Sequence, residues 1–529
     1  MSRVAIIGSG PAGATAVEML ATDPTQQIDV LDIGVTLEPE RAALLELVKQ
    51  LPPRSWPASA TTLTEQPRHI GSMLPEKRVL GSDYPFRNEG QLDGMVQEGA
   101  SNEHVTSGAL GGFSNVWGAQ IFPFPRETTS GWPIDGAELR TAYRDVLRLI
   151  PYAAVEDDFA EIFPLLGEPA GLPVLSPRTV RTMDRYAKHR ARVRRLGVTL
   201  GHARLAFRSA ECHPCNLCMT GCPNDLIFSA RHLLKPRIRS GRVRYFDKTM
   251  AVRLSESATG ATVHVKNLRT GTLDRLEYDR VFVACGAIAS TRLAVSLRPQ
   301  PSYTLPLQEA AQFLIPMLSA ASTSDPRDYD AFTLNQFNAL VSTPTLHGDV
   351  AFIHFYPFNS AMLGALPTIF GNGRRLSGAL LARLSVGLGY LPSGASPSQT
   401  IEVRAHSDQG RLPDAVIRRQ PGGLYREHLR AVWASLARVA PLLDLWPMPY
   451  MPIAAAGKTY HFGSTLAHSM APRAGTLQTD TLGRLAGSRR IHFVDGSTLP
   501  SIPATTFTLT VMANAARIAK STLGIESVQ

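Results

Sequence analysis

Four of the five cysteines lie in one short segment, and their spacing is the first feature that indicates chemistry. Cys212, Cys215, Cys218 and Cys222 have the C-x2-C-x2-C-x3-C spacing of bacterial ferredoxin ligands. Thiolates at these separations can surround one iron–sulfur cluster, although in ferredoxins the fourth cysteine ligates a second cluster. Structural zinc, free thiols and disulfides stay open as alternatives. The spacing favours a metal or redox site over a disulfide framework.

The opening of the chain carries a nucleotide-binding pattern. An apolar strand is predicted over residues 4–7, the G-x-G-x-x-G turn spans residues 8–13, and a helix follows over residues 14–20. The glycines of such a turn permit a tight bend, close approach of a pyrophosphate, and packing of the helix on the strand. A second predicted strand, residues 28–31, ends at Asp32, where a carboxylate can accept from a ribose hydroxyl. Gly8, Gly10, Ala12 and Gly13 with Asp32 are therefore predicted to bind a dinucleotide.

Later segments return to the same nucleotide domain. Residues 111–118 (GGFSNVWG) combine adjacent glycines with a tryptophan that can cover a planar ring. Residues 281–284 predict another buried parallel strand that runs into a helix, and residues 490–495 predict a strand that ends in an acidic residue. A closing helix is predicted over residues 508–523. The nucleotide domain is thus expected to be discontinuous.

Bulk properties favour a globular protein of two domains. The chain has 529 residues, 44% hydrophobic and 19% charged, with a net charge of +10. Its densest basic cluster, residues 185–195, lies in a predicted helix over 184–196, so a solvated helix face is favoured over nucleic-acid binding. An apolar helix is predicted over residues 377–391, in the core rather than at a membrane surface. We expect a cytoplasmic protein, since no apolar run is long enough to span a bilayer and the first core strand leaves no room for a signal peptide.

Five segments resemble the glucose–methanol–choline (GMC) family of FAD-dependent oxidoreductases: residues 8–13, 111–118, 132–134, 284–290 and 461–517. The resemblance implies an α/β fold (α+β overall) with a Rossmann-like FAD-binding domain and a substrate domain that contains a large antiparallel sheet. It places the FAD domain at residues 1–130, 205–300 and 455–529, and the substrate domain at 131–204 and 301–454. It implies oxidation of an alcohol carbon by hydride transfer to flavin.

The resemblance also assigns site residues. His461 is the expected base, because a neutral imidazole accepts a proton near pH 7. Thr506 stands where the family commonly has a second His or Asn, and His468 is a reserve candidate for the base. Segment 111–118 has no histidine for a covalent flavin link, so FAD is expected to be non-covalent. The expected cofactor-binding residues are Gly8, Gly10, Ala12, Gly13, Asp32, Gly111, Gly112, Ser114, Asn115, Trp117, Gly118, Gly286, Asp495, Gly496, Thr506, Phe507 and Thr508.

The cysteine segment is similar to an insertion in bacterial FAD-dependent sugar dehydrogenases of this family. That likeness implies a 3Fe-4S or 4Fe-4S cluster that passes electrons to a redox protein or a quinone. We therefore predict an alcohol or sugar dehydrogenase. An oxygen-using oxidase, a redox-neutral lyase and an electron-transfer flavoprotein without a substrate site stay open.

Overall fold

The computed structural model describes residues 2–65, 78–99, 103–298, 300–325, 329–357, 378–420, 425–449, 451 and 454–524. The α-helices are Pro11–Leu20, Pro39–Val48, Arg126–Thr129, Gly136–Leu149, Pro177–Arg195, Arg231–Arg239, Ala287–Val295, Gly378–Leu381, Tyr425–Leu443 and Thr508–Thr522. Across the described ranges, no helix has the length and apolar character needed to cross a membrane.

A five-stranded parallel sheet forms the nucleotide-binding half of the fold. Its strands, in spatial order, are Ile491–Phe493, Arg280–Val283, Ser2–Ile7, Gln26–Leu31 and Val243–Phe246. Ser2–Ile7 is central, and its apolar residues are buried on both faces, as expected for a strand between helical layers. Helices Pro11–Leu20 and Thr508–Thr522 pack against each other beside this sheet. The first and last helices of the chain therefore share one core.

Three smaller sheets surround this half. One contains Thr249–Glu256, Ala261–Asn267 and Leu273–Tyr278; a second contains Ser302–Pro306, Gln399–Arg404, Asp414–Arg419 and Met95–Glu98. Apolar residues of both sheets share a core cluster with Ile7 and Val281 of the parallel sheet. A third, two-stranded pairing joins Gln308–Glu309 to Phe462–Gly463. This last pairing fixes the segment next to His461.

A six-stranded, antiparallel sheet forms the other half. Its order is Trp446–Pro447, Gln312–Leu318, Leu384–Tyr390, Val350–Tyr356, Phe337–Ser342 and Val198–His202. Side chains alternate between its faces: Phe313 and Ile353 pack in a core with helices Pro177–Arg195 and Tyr425–Leu443. The opposite face is turned toward the nucleotide-binding half.

The prediction of a helix over residues 377–391 is wrong for most of residues 378–391, which are the part of that range that the structure describes. Only Gly378–Leu381 is helical, and Leu384–Tyr390 is a central strand; residue 377 lies outside the described residues. The reason is tertiary. A side chain at Gly389 would stand 2.1 Å from the Phe313 ring, and one at Gly387 would stand 2.7 Å from Ile315, so large neighbours on the adjacent strands fill the space above both glycines. Sheet packing overrides the apolar composition that suggested a helix.

The predicted fold class is confirmed: a parallel nucleotide-type sheet with helices and a large antiparallel sheet lie in one chain. The basic cluster at residues 185–195 falls on helix Pro177–Arg195, begun by Ser176, whose hydroxyl accepts from Thr179 N. The domain boundaries stay a prediction.

Candidate active site

A cavity of about 380 Å³ lies between the carboxyl edge of the parallel sheet and the antiparallel sheet. Most of the residues predicted to bind the cofactor or to act in catalysis line it. They are Gly8, Gly10, Ala12, Asp32, Gly112, Ser114, Trp117, Gly118, Gly286, His461, Asp495, Gly496, Thr506, Phe507 and Thr508. Segments far apart in sequence thus meet around one space, at the edge where open α/β sheets bind ligands.

The three remaining predicted cofactor residues, Gly13, Gly111 and Asn115, lie behind the cavity wall. Gly13 packs on the turn: a side chain there would stand 2.0 Å from the Gly8 carbonyl oxygen. Gly111 has φ +94 and donates its N–H to Ser9 Oγ. Asn115 donates to the carbonyls of Leu110 and Gly112. These residues shape the glycine segments that line the cavity.

The opening turn forms a cradle for a phosphate group. Gly8 has φ +97, and a Cβ there would stand 2.6 Å from the Ala284 carbonyl oxygen, so only glycine fits without strain. Gly10 precedes helix Pro11–Leu20, no described side chain caps that helix, and a Cβ at Gly10 would meet nothing within 4 Å. The first N–H groups of the helix and its dipole therefore remain available to an anion.

Asp32 lies at the end of the neighbouring strand and is nearly fully buried. Its Oδ2 accepts hydrogen bonds from Ser9 Oγ at 2.5 Å and from the Tyr245 hydroxyl at 2.7 Å. Burial raises the pKa of the Asp32 carboxyl to about 6, and the two hydrogen bonds oppose that rise. The carboxyl is thus held in place at the cavity wall, in the position expected for a ribose-binding acid.

Asp495 joins two of the predicted segments. Its carboxylate accepts from Gly286 N at 2.9 Å, from the Ser290 hydroxyl and from Ser497 N at 3.0 Å. Gly286 has φ +88 and precedes helix Ala287–Val295. This acid therefore fixes the turn after strand Arg280–Val283 to the turn after strand Ile491–Phe493.

A buried carboxylate holds the segment that carries His461. Glu309 Oε1 accepts from Gly457 N and from Thr459 Oγ1, each at 2.7 Å, and its other oxygen accepts from Gln399. Thr459 Oγ1 in turn accepts from the backbone N–H of His461 at 3.0 Å. The pairing of Glu309 with Phe462 fixes the other side of the histidine. His461 therefore lies on a short segment that is tied down at both ends.

The His461 ring lies between two aromatic rings at the cavity. It stacks on Tyr390, with centroids 5.0 Å apart, and meets Phe507 edge-on at 5.2 Å. Its Nδ1 is buried and has no hydrogen-bond partner among the described residues. The His461 side chain is only partly buried, but the space that it faces is enclosed by protein. Desolvation therefore lowers the pKa of His461 to about 4. The imidazole is therefore neutral at physiological pH and can accept a proton.

Thr506 and His468 differ in position. Thr506 lines the cavity, and its buried Oγ1 has no hydrogen-bond partner among the described residues. His468 lies outside the cavity lining: its Nδ1 is 2.6 Å from the Asp480 carbonyl oxygen, and its Nε2 contacts Asn514 at 3.3 Å. Both ring nitrogens of His468 are thus engaged in internal contacts, which leaves His461 as the predicted base that faces the cavity.

The antiparallel sheet contributes cavity residues that the sequence reasoning missed. Gln312, His354 and Tyr390 line the cavity from three adjacent strands. A signal existed for His354, which is a polar residue inside the apolar strand run AFIHFY. Period-two alternation would have placed it on one face, but only the sheet packing shows that this face meets the nucleotide half.

The four cysteines are free, and Cys218 is buried. Burial raises the pKa of the Cys212 thiol to about 12, and the nearby Cys218, Cys215 and Cys222 raise it further. The four thiols are therefore close enough to interact. Yet no three His, Cys, Asp or Glu side chains in the described ranges converge as a metal-binding group. The described geometry therefore gives an iron–sulfur cluster no support. The segment does reach the cavity, through Met219.

Comparison with known proteins gives a structural match. The structure is similar to that of pyridoxine 4-oxidase from Mesorbium loti, with a TM-score of 0.61 over 99% of both chains. The chain has the fold of this oxidase. Sequence identity is 15%, so the likeness concerns the fold. No protein-family model and no curated protein matches the sequence.

Proposed function

We propose that this protein is an FAD-dependent oxidoreductase of the GMC type that oxidises a CH–OH group of an alcohol or sugar. One observation carries the proposal: a single cavity joins the Gly8–Gly10 turn and Asp32 to the His461 imidazole, which burial keeps neutral and whose Nδ1 has no hydrogen-bond partner among the described residues. A nucleotide-binding end and a proton-accepting end are the two parts that hydride removal from an alcohol requires.

The chain's own residues fit FAD. The turn at Gly8 and Gly10 would hold the pyrophosphate at the start of helix Pro11–Leu20, and Asp32 would accept from the ribose. Residues of the 112–118 segment and Gly496 line the remaining wall. When bound, FAD supplies the hydride acceptor. The structural neighbour is named as an oxidase, which supports oxidation chemistry at this site.

His461 would take the proton of the substrate hydroxyl. Removal of hydride from a carbinol carbon leaves positive charge unless the hydroxyl proton also departs, so a base at this position lowers the barrier. Burial keeps the His461 pKa near 4, and the ring therefore starts neutral. Thr506 Oγ1 can hydrogen-bond the substrate oxygen, but a threonine hydroxyl cannot act as a base near pH 7.

Anaerobic mixing with alcohols tests the proposal. A substrate alcohol should bleach the oxidised flavin band in the absence of oxygen, whereas a redox-neutral lyase would leave the band unchanged. His461→Ala should retain its flavin content and lose the bleaching rate by about 100-fold or more, within the range of a general base. Loss of turnover with unchanged flavin content would rule out an electron-transfer flavoprotein without a substrate site, whereas an unchanged bleaching rate would remove His461 as the base.

The electron acceptor divides dehydrogenase from oxidase. The cysteine spacing favours a dehydrogenase with a redox protein or quinone as acceptor, and the name of the structural neighbour favours oxygen. Reoxidation of the reduced flavin by oxygen, compared with reoxidation by a quinone, distinguishes the two. Iron analysis and EPR of the protein purified without oxygen test for an iron–sulfur cluster. Absence of iron, with all four thiols titratable (Cys212, Cys215, Cys218 and Cys222), would rule out the cluster.

A further inference from the structure

The antiparallel sheet supplies a separate wall of the cavity. Five of its side chains line that wall: Gln312, His354, Tyr356, Leu388 and Tyr390. The segments proposed to hold FAD come instead from the turns of the parallel sheet, from the 112–118 segment and from the start of the last helix. The space against the antiparallel wall is therefore where the rest of a substrate would lie, beyond the carbon that faces His461.

This wall carries no fixed charge. None of its five side chains is an acid, a lysine or an arginine, and burial together with nearby His461 lowers the pKa of His354 well below its ordinary value. The three charged residues on the cavity lining have partners of their own: Asp32 accepts from Ser9 and Tyr245, Asp495 accepts from Gly286, and Lys458 pairs with Glu103 at 3.0 Å. An ionised substrate group placed here would be desolvated without a counter-charge, which is costly.

The wall nevertheless offers hydrogen bonds. His354 is 2% exposed, and its Nε2 has no hydrogen-bond partner among the described residues. The Tyr390 hydroxyl accepts from Gln312 Nε2 at 2.8 Å, which leaves its own proton without a described acceptor. A buried, unpaired imidazole nitrogen is destabilising unless a ligand satisfies it. Both groups thus suit a ligand with a polar group of its own.

The spacing of the rings suits a planar body between two polar groups. The Tyr390 centroid is 5.0 Å from that of His461 and 5.0 Å from that of His354. The two imidazoles therefore flank one aromatic ring and lie no more than twice that distance apart. A substrate that reaches both would lie along Tyr390, with its hydroxymethyl group at His461.

We propose that His354 recognises a second, uncharged hydrogen-bonding group of the substrate. The substrate class is then a neutral alcohol with a planar apolar body and a second hydroxyl or equivalent acceptor or donor. This inference rests on the proposed function, because it assumes that His461 marks the position of the oxidised carbon.

Three matched probes test the inference on the FAD-loaded protein. Benzyl alcohol lacks the second group, 3-hydroxybenzyl alcohol carries a neutral one, and 3-(hydroxymethyl)benzoate carries an anion. Binding is measured anaerobically from the perturbation of the flavin absorption spectrum, and bleaching is recorded in the same samples. Wild type is compared with His354→Phe, which keeps an aromatic ring but removes both nitrogens, and with His354→Asn, which restores a hydrogen-bonding group in a smaller side chain.

The wild-type protein should bind 3-hydroxybenzyl alcohol about tenfold more tightly than benzyl alcohol, the effect of one satisfied hydrogen bond. The anion should bind most weakly. His354→Phe should abolish the preference between the two neutral probes without weakening benzyl alcohol, and His354→Asn should recover part of it.

Equal binding of the anion, failure of every probe to bind, or equal loss for both neutral probes in His354→Phe would each overturn the inference. If His354→Phe does not accumulate as a folded protein, the wild-type order of the three probes decides. Bleaching reports on the proposed function separately: binding in the expected order without bleaching contradicts oxidation and leaves the recognition site standing. Bleaching without the expected order contradicts only the recognition site.

Discussion

Replacement of Thr459 by valine tests how the fold positions the proposed base. Thr459 is 4% exposed, and its hydroxyl both donates to Glu309 and accepts from the backbone N–H of His461. Valine has nearly the same shape but cannot make either hydrogen bond. Loss of a hydrogen bond to a buried carboxylate, together with an unpaired backbone N–H, should lower the free energy of unfolding by about 3 kcal/mol.

The same change should slow proton removal by His461. Without its backbone partner, the segment that carries the ring is released on one side, and a displacement of about 1 Å at a reacting group typically costs about 100-fold in rate. The assay is anaerobic stopped-flow bleaching of the flavin by a saturating alcohol, so that kcat and KM are separated. We expect kcat to fall and KM to change little, because the two hydrogen bonds of Thr459 Oγ1 are to Glu309 and to the backbone of His461.

Thr459→Ser is the matched control, because serine retains the hydroxyl. It should keep both the stability and the bleaching rate within a few fold of wild type. Flavin content is measured first in each variant, so that loss of cofactor is not counted as loss of rate. If Thr459→Val has the same free energy of unfolding and the same bleaching rate as Thr459→Ser, the Glu309–Thr459 contact does not position His461 and the reasoning fails.

Two further predictions concern the cofactor cradle and pH. Gly8→Ala should abolish FAD retention, because at φ +97 the new Cβ would stand 2.6 Å from the Ala284 carbonyl oxygen. Gly171→Ala is the control and should retain FAD, because the space around Gly171 is open. Flavin absorbance per protein measures both variants, and a Gly8→Ala variant that retains FAD would contradict the proposed role of the turn. Burial lowers the pKa of His461 and His492 to about 4 each, so the folded protein resists their protonation. Stability should therefore be fully present above the ordinary pKa of 6.5 and be lost as pH falls toward 4, by about 3 kcal/mol for each ring. Thermal unfolding between pH 8 and pH 4 checks this, and greater stability at pH 4 would contradict it.

Local patterns in the sequence were sufficient for the nucleotide half of the fold. The apolar strand, the glycine turn and the acid at residue 32 are consecutive features of one βαβ unit, and each follows from backbone sterics or from burial on both faces of a strand. Asp32 and the Gly8–Gly10 turn accordingly lie at the same cavity. The partner of Asp32, Tyr245, was not predictable, because it comes from a strand more than two hundred residues away in the chain.

The antiparallel half shows where local patterns fail. Residues 384–390 look like part of an apolar helix, and only the large side chains on neighbouring strands, such as Phe313 above Gly389, make a glycine-containing strand stable there. Residues 400–403 do not pair with residues 384–390; they lie in a separate antiparallel pairing whose apolar residues share a core with the parallel sheet. Strand partners are set by contacts distant in sequence, which period and composition do not encode.

The functional residues, like the fold, were only partly predictable from local patterns in the sequence. The sequence by itself determined that a dinucleotide turn and a four-cysteine segment exist, because spacing along a chain is a local property. His461 became a candidate base only through the family resemblance of residues 461–517. Only the tertiary structure decided that His461 faces the cavity while His468 is engaged behind it, and that the cysteines do not converge as metal ligands in the described residues. It also brought His354 beside Tyr390 and so to the same space. Burial, hydrogen-bond partners and convergence depend on which surfaces pack together, and that is fixed only when the two sheets enclose one cavity.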